Sequence, residues 1–107
     1  MAIDATVETF PALIGEGNVL VDFWGPSCAP CLALMPAVEE LERRYEFAVR
    51  LVKVNATENR QICRDLKVLG LPSYLLFRGG EEVERLIGDP TVEQIEAAVA
   101  RLVEGGE

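Results

Sequence analysis

Cys28 and Cys31 are separated only by Ala29-Pro30, and a thiol pair at that spacing can close a disulfide, exchange it with another, or contribute to a metal knuckle. The flanking chain narrows this. Ahead of the pair, Val19-Leu20-Val21-Asp22-Phe23-Trp24 is a short apolar run rich in β-branched and aromatic residues, which reads as a buried strand of a parallel sheet. After it, from Ala29 to about Tyr45, apolar residues recur at Leu32, Met35, Val38 and Leu41 among Glu39, Glu40, Glu42, Arg43 and Arg44, a helical period. The two cysteines therefore open a helix. Residues three apart on a helix share a face, so the thiols can approach to bonding distance. The first turn also offers unpaired backbone N–H groups and the positive end of the helix dipole, both of which favour thiolate, the species that attacks disulfides. The stretch reads as a redox dithiol.

Composition limits what such a site can belong to. The 107 residues are read as a single domain, 1–107, with half of them apolar, as in a soluble globular protein. Eighteen acidic against ten basic residues give a net charge of −8, which disfavours nucleic acid and anionic membrane surfaces as partners. No apolar run reaches about 18 residues, and the N-terminus lacks a basic block followed by an apolar one, so a cytoplasmic monomer with no membrane association is expected. Three cysteines are too few for a disulfide scaffold and suit a reducing compartment. With no histidine, histidine-based acid–base and triad chemistry is excluded, and a zinc site would need three or four thiolates, or carboxylates in their place. No metal and no cofactor beyond the dithiol itself are expected. Cys63, outside the motif, reads as a small buried hydrophobe, with a regulatory thiol as the alternative.

The elements that must position the dithiol follow in order. Residues 3–7 are expected to form a short edge strand, and residues 8–14 a short helix with Pro11 in its first turn. Pro36 should kink the long helix near Leu32. Residues 47–55 alternate through Val49, Leu51, Val52 and Val54 and predict a strand, parallel to the first core strand and joined to it right-handedly. Residues 59–66 predict a short helix with Ile62, Cys63 and Leu66 inward. A loop at 68–72, a core strand at 73–77, a Gly79-Gly80 hairpin and a strand at 81–87 come next. Thr91 with Gln94 forms a capping-box pattern opening a C-terminal helix built on Val92, Ile95, Val99 and Leu102 and ending before Gly105-Gly106. The expected fold is an α/β three-layer sandwich, a central mixed sheet of about five strands with about four helices on both faces.

Over nearly its whole length this pattern resembles the thioredoxin family. The resemblance is carried by Val-Asp-Phe-Trp at 21–24, Cys-x-Pro-Cys at 28–31, Pro36, Lys53-Val54-Asn55, Leu71-Pro72, Gly79-Gly80 and Gly88, whose mutual spacings fit the family without gaps. It implies a thioredoxin-like sandwich and a protein disulfide oxidoreductase, with Cys28 as the nucleophile and Cys31 as the resolving thiol. The partners implied are disulfide-containing proteins and a thioredoxin reductase or other dithiol donor. Resolution needs Cys31 deprotonated, and Asp22 is the candidate base: a carboxylate in an apolar strand is expensive, and burial should raise its pKa toward neutrality. Lys53 matches the family's lysine beside that aspartate. Pro72 matches a cis-proline lying against the dithiol, and Trp24, Gly70, Leu71 and Gly88 match the surface where target polypeptides dock.

Three positions depart from the family. Its usual loop is Trp-Cys-Gly-Pro-Cys followed by a cation, whereas here Ser27, Ala29 and Leu32 take the places of the tryptophan, the glycine and the cation. The Ala29-Pro30 dipeptide is a lever on redox poise, and Pro26 stiffens the approach. Two further readings follow: a specialised or more oxidising relative with a dedicated partner, and a binding module of the same fold whose cysteines hold a metal or cluster across two chains.

Overall fold

The computed structural model describes residues 2–105. Nine elements follow one another: β1 Ile3–Asp4, α1 Phe10–Ile14, β2 Asn18–Trp24, α2 Ala29–Arg44, β3 Arg50–Asn55, α3 Arg60–Leu66, β4 Ser73–Arg78, β5 Glu81–Leu86 and α4 Val92–Glu104. The strands form one sheet in the order β1-β3-β2-β4-β5, with β1, β3 and β2 mutually parallel and β4 and β5 each antiparallel to its neighbour. This is the expected mixed sheet with four helices.

Strand alternation sorts the core into two layers. On one face Leu20, Leu51, Tyr74 and Leu76 meet Val38 and Leu41 of α2 and Ile95, Ala98, Val99 and Leu102 of α4. On the other, Val19, Val21, Phe23, Val52, Val54, Leu75 and Phe77 meet Phe10 of α1 and Ile62 of α3. By the same parity Asp22 belongs to the α2–α4 face. The carboxyl ends of β2 and β3 lie at one pole, where the cysteine loop begins. At the opposite pole the Gly79 N–H donates to the Gly17 carbonyl, and Arg78 donates to the Leu102 carbonyl near the end of α4.

Several boundaries differ from the sequence reading. The edge strand is two residues rather than five, because the backbone turns through residues 7–9 and Thr6 and Thr9 bond each other. The strand expected from residue 47 starts at Arg50: residues 45–48 are a turn, and Phe47, with φ 75° and 99 % exposed, projects into solvent. Its β-rich composition is that of a turn placed before a strand. Leu32, read as part of the inner stripe, is exposed, since the buried line of α2 runs through Cys31, Val38, Leu41 and Glu42. Pro36 lies inside α2 without ending it. The capping box is present, with Gln94 N–H donating to the Thr91 hydroxyl and Thr91 N–H donating to the Gln94 side chain. Of Gly105-Gly106, Gly105 caps α4 and Gly106 lies outside the described residues.

Candidate active site

Cys28 stands at the N-cap of α2 and Cys31 one turn into it, and the two are joined in a disulfide with an S–S distance of 2.11 Å and Cα atoms 5.3 Å apart. Extended backbone at Cys28 turns the chain from β2 into the helix, and Ala29-Pro30 fills the first two helical positions, where proline costs no hydrogen bond. The two sulfurs are unequal. Cys31 is fully buried against the sheet, whereas Cys28 is partly exposed at the rim. The Cys31 backbone N–H donates to the Cys28 sulfur over 3.2 Å. That donor, together with the helix dipole, would favour thiolate at Cys28 once the bond opens.

Beneath α2 lies Asp22, with no exposed surface and neither carboxylate oxygen hydrogen-bonded to a protein group. Burial pushes its carboxyl up to about 7, opposed by the ammonium of Lys53 and reinforced by Glu39. Lys53 is the ladder neighbour of Asp22 on β3. Its ammonium pairs with Glu39 of α2 at 3.4 Å and sits 5.7 Å from the centre of the Trp24 ring. The cation that would hold Asp22 ionised is thus shared with a second carboxylate and an aromatic face, which leaves the burial effect dominant.

The residues that the resemblance assigns to a docking surface gather around the same rim. The Leu71–Pro72 peptide is cis, as the resemblance implies, and the Ser73 hydroxyl donates to the Gly70 carbonyl at 2.7 Å, closing the loop before β4. A Cβ on Gly25 would come within 3.3 Å of the Leu71 side chain, so this loop rests on the approach to the cysteines. A groove of about 370 Å³ brings Gly70, Leu71 and Pro72 together with Gly88, whose φ is 75°. Trp24 ends β2 half-buried, its indole N–H enclosed. Ala29 and Pro30 are exposed on the helix start. Cys63 is only partly buried, flanks the α1–α3 core layer, and has its thiol pKa raised by that burial.

Two residues of this site escaped the sequence reading. Glu39 was one acid among many on a charged helix, and only the packing of α2 on β3 brings it to Lys53. Tyr74 lies opposite Asp22 in the β2–β4 ladder, fully buried, its hydroxyl unbonded to any protein group and its pKa raised by burial and then by Asp22 and Asp89. A tyrosine within an otherwise largely apolar core strand was the signal available for it, since a buried phenol calls for a polar neighbour.

Comparison with known proteins agrees with this geometry. The thioredoxin family model matches residues 2–101. A thioredoxin of Peptoclostridium acidaminophilum is 45 % identical over 85 % of this chain and 84 % of its own length. A thioredoxin of Acetoanaerobium sticklandii is 40 % identical, covering 92 % and 93 %. A thioredoxin of Bacillus subtilis is 34 % identical, covering 91 % and 93 %.

Proposed function

The chain belongs to the thioredoxin family and is a thiol–disulfide oxidoreductase, and from that premise we propose that it reduces disulfides of other proteins, with Cys28 attacking, Cys31 resolving and Asp22 handling the proton. The observation that carries the reading is the inequality of the two sulfurs, one at the rim and one sealed at the head of α2. In the cycle, Cys28 thiolate attacks one sulfur of the target disulfide, forming a mixed disulfide and releasing the other sulfur as thiolate. Cys31 then loses its proton to the Asp22 carboxylate and attacks the Cys28 sulfur. The Cys28–Cys31 bond forms, the mixed disulfide breaks, and the target leaves with both sulfurs reduced; the proton on Asp22 passes on to a released thiolate. Two electrons have moved from the dithiol to the target.

Trp24, Gly70, Leu71, Pro72 and Gly88 form the surface on which the target chain lies, while Lys53 sets the charge balance at Asp22. The electron donor is a thioredoxin reductase or another dithiol, and the compartment is the reducing cytoplasm; no described helix is long and apolar enough to cross a membrane. Replacement of Cys31 by serine tests the division of labour. Cys31→Ser should accumulate a mixed disulfide through Cys28, visible as an intact-mass adduct with a target peptide, whereas an adduct through residue 31 in Cys28→Ser would reverse the roles.

A second reading, a specialised or more oxidising relative with a dedicated partner, is favoured in its specialised form by the exposed apolar side chain of Leu32 beside the dithiol, where the family carries a cation. Losing that charge withdraws support from the reduced, thiolate form, which by itself makes the couple more reducing, so the side chain favours a dedicated partner through its apolar contact surface and not through a higher potential. Equilibration against glutathione, together with turnover of several unrelated protein disulfides, separates the two: a Cys28–Cys31 couple more reducing than glutathione with general turnover supports the general reductant, and a more oxidising couple or no general turnover the dedicated relative.

A further inference from the structure

The chain has ten cationic side chains against eighteen acids, and seven of the ten are engaged within the fold. Arg43, Arg44, Lys53, Arg85 and Arg101 pair with Glu40, Glu96, Glu39, Glu82 and Glu84. Arg50 and Arg78 donate to the Leu13 and Leu102 carbonyls. The remaining three are Arg60, Arg64 and Lys67, and among the described residues none of their side chains has a carboxylate or carbonyl partner. All three line a single groove of about 560 Å³, and no carboxylate lines it with them.

This coincidence has a structural basis. Positions 60, 64 and 67 fall at i, i+4 and i+7 along α3 and its cap, one face about 10 Å long. Lys67 closes the helix in the left-handed conformation, and Arg85 donates to the Leu66 and Lys67 carbonyls from β5, so the groove wall is held in place. The opposite wall is apolar. Leu69 is 97 % exposed and Leu71 is 37 % exposed, and both line the groove, which ends on the Leu71–Pro72 loop resting against Gly25. The groove is therefore a cationic and apolar strip leading to the dithiol on an otherwise acidic molecule.

We propose that this groove is a subsite for the target polypeptide and selects segments in which an apolar residue and one or more Asp or Glu side chains flank the disulfide. The proposal rests on the reading that the chain reduces protein disulfides. An apolar side chain covers Leu69 and Leu71 while the carboxylates meet Arg60, Arg64 and Lys67. A net charge of −8 repels acidic targets as a whole, and the three unengaged cations reverse that repulsion locally and orient the approach. A nucleic-acid strand would find phosphate partners here but be repelled by the rest of the surface, and it has no use for the apolar wall. Each exposed pair contributes little alone, so the effect is collective and sensitive to salt.

The test uses two disulfide-cyclised peptides, identical except that Glu-Leu or Lys-Leu flanks the disulfide. The reduced protein is mixed with each, and each rate is divided by that for bis(2-hydroxyethyl) disulfide so that changes in dithiol reactivity cancel. The glutamate peptide should react about tenfold faster at low ionic strength, with the preference shrinking to about twofold in 0.5 M salt. The triple variant Arg60→Glu/Arg64→Glu/Lys67→Glu should invert the preference. Should it not fold, the single variants Arg60→Ala, Arg64→Ala and Lys67→Ala should each reduce the preference by about two- to threefold. Equal rates for the two peptides, or a preference that the variants retain, overturns the subsite and leaves the reductase reading standing. No reduction of either peptide or of the hydroxyethyl compound overturns both.

Discussion

Asp22 is the residue at which burial and chemistry conflict most directly. A carboxyl with an ordinary value of 3.8 that is pushed up to about 7 in the fold stays protonated in the folded chain while the unfolded chain ionises. The unfolded state then holds fewer protons, so stability is fully present below about pH 4, falls by about 1.4 kcal/mol per pH unit up to about 7, and levels off above that. The total is on the order of 4 kcal/mol. Asp22→Asn should remove this slope, so urea midpoints taken at pH 5 and pH 8 should converge in the variant and separate in the parent; parallel behaviour would place the ionisation elsewhere. If Asp22 accepts the proton of Cys31, the parent's rate of disulfide reduction should also rise with pH through about 7, and the variant should be slower with that inflection gone. Cys28, Cys31 and Asp22 were legible in the sequence because each carries its reason locally: a two-residue spacing, a helix start, a charge inside an apolar run. Glu39 and Tyr74 were not, because their roles depend on which strand lies beside which. The three unengaged cations were invisible for a similar reason, since a free arginine is recognised only when the partners of all the others are known.

At the scale of elements, the periodic signals were read well and the joints less so. The apolar run of β2 and the capping box of α4 survive intact, since both follow from patterns within a few residues. Thr91→Ala removes the hydroxyl that accepts the Gln94 N–H and should cost about 1 kcal/mol, measured by chemical denaturation; Thr91→Ser should retain most of the stability. The misread joint is residues 45–48, where Phe47 and Val49 have strand-like composition but the chain must first leave α2. Phe47 takes a φ of 75°, which costs a residue with a Cβ about 1 kcal/mol or more, and its ring gains nothing because it is fully in solvent. Phe47→Gly should therefore hold or raise the thermal midpoint despite the greater freedom of the unfolded glycine. A fall of several degrees would mean that the ring packs against something in solution.

At the scale of the molecule, both edges of the sheet are poor templates for further pairing: β1 has two residues, and β5 carries Glu81, Glu82, Glu84 and Arg85. The direction of the strands has a practical consequence of another kind. Because β1 runs parallel to β2, and α4 runs back from the rim to the Arg78–Leu102 contact, residues 2 and 105 both lie at the pole opposite the cysteines. A surface-coupling tag placed at either end should hold the dithiol facing outward. Immobilised through one end or the other, the protein should keep at least about half of its solution rate toward a disulfide peptide per molecule coupled, while coupling through lysines should lose more, since Lys67 and Lys53 are its only lysine side chains, Lys67 lines the groove proposed for the target and Lys53 stands beside Asp22 in the sheet.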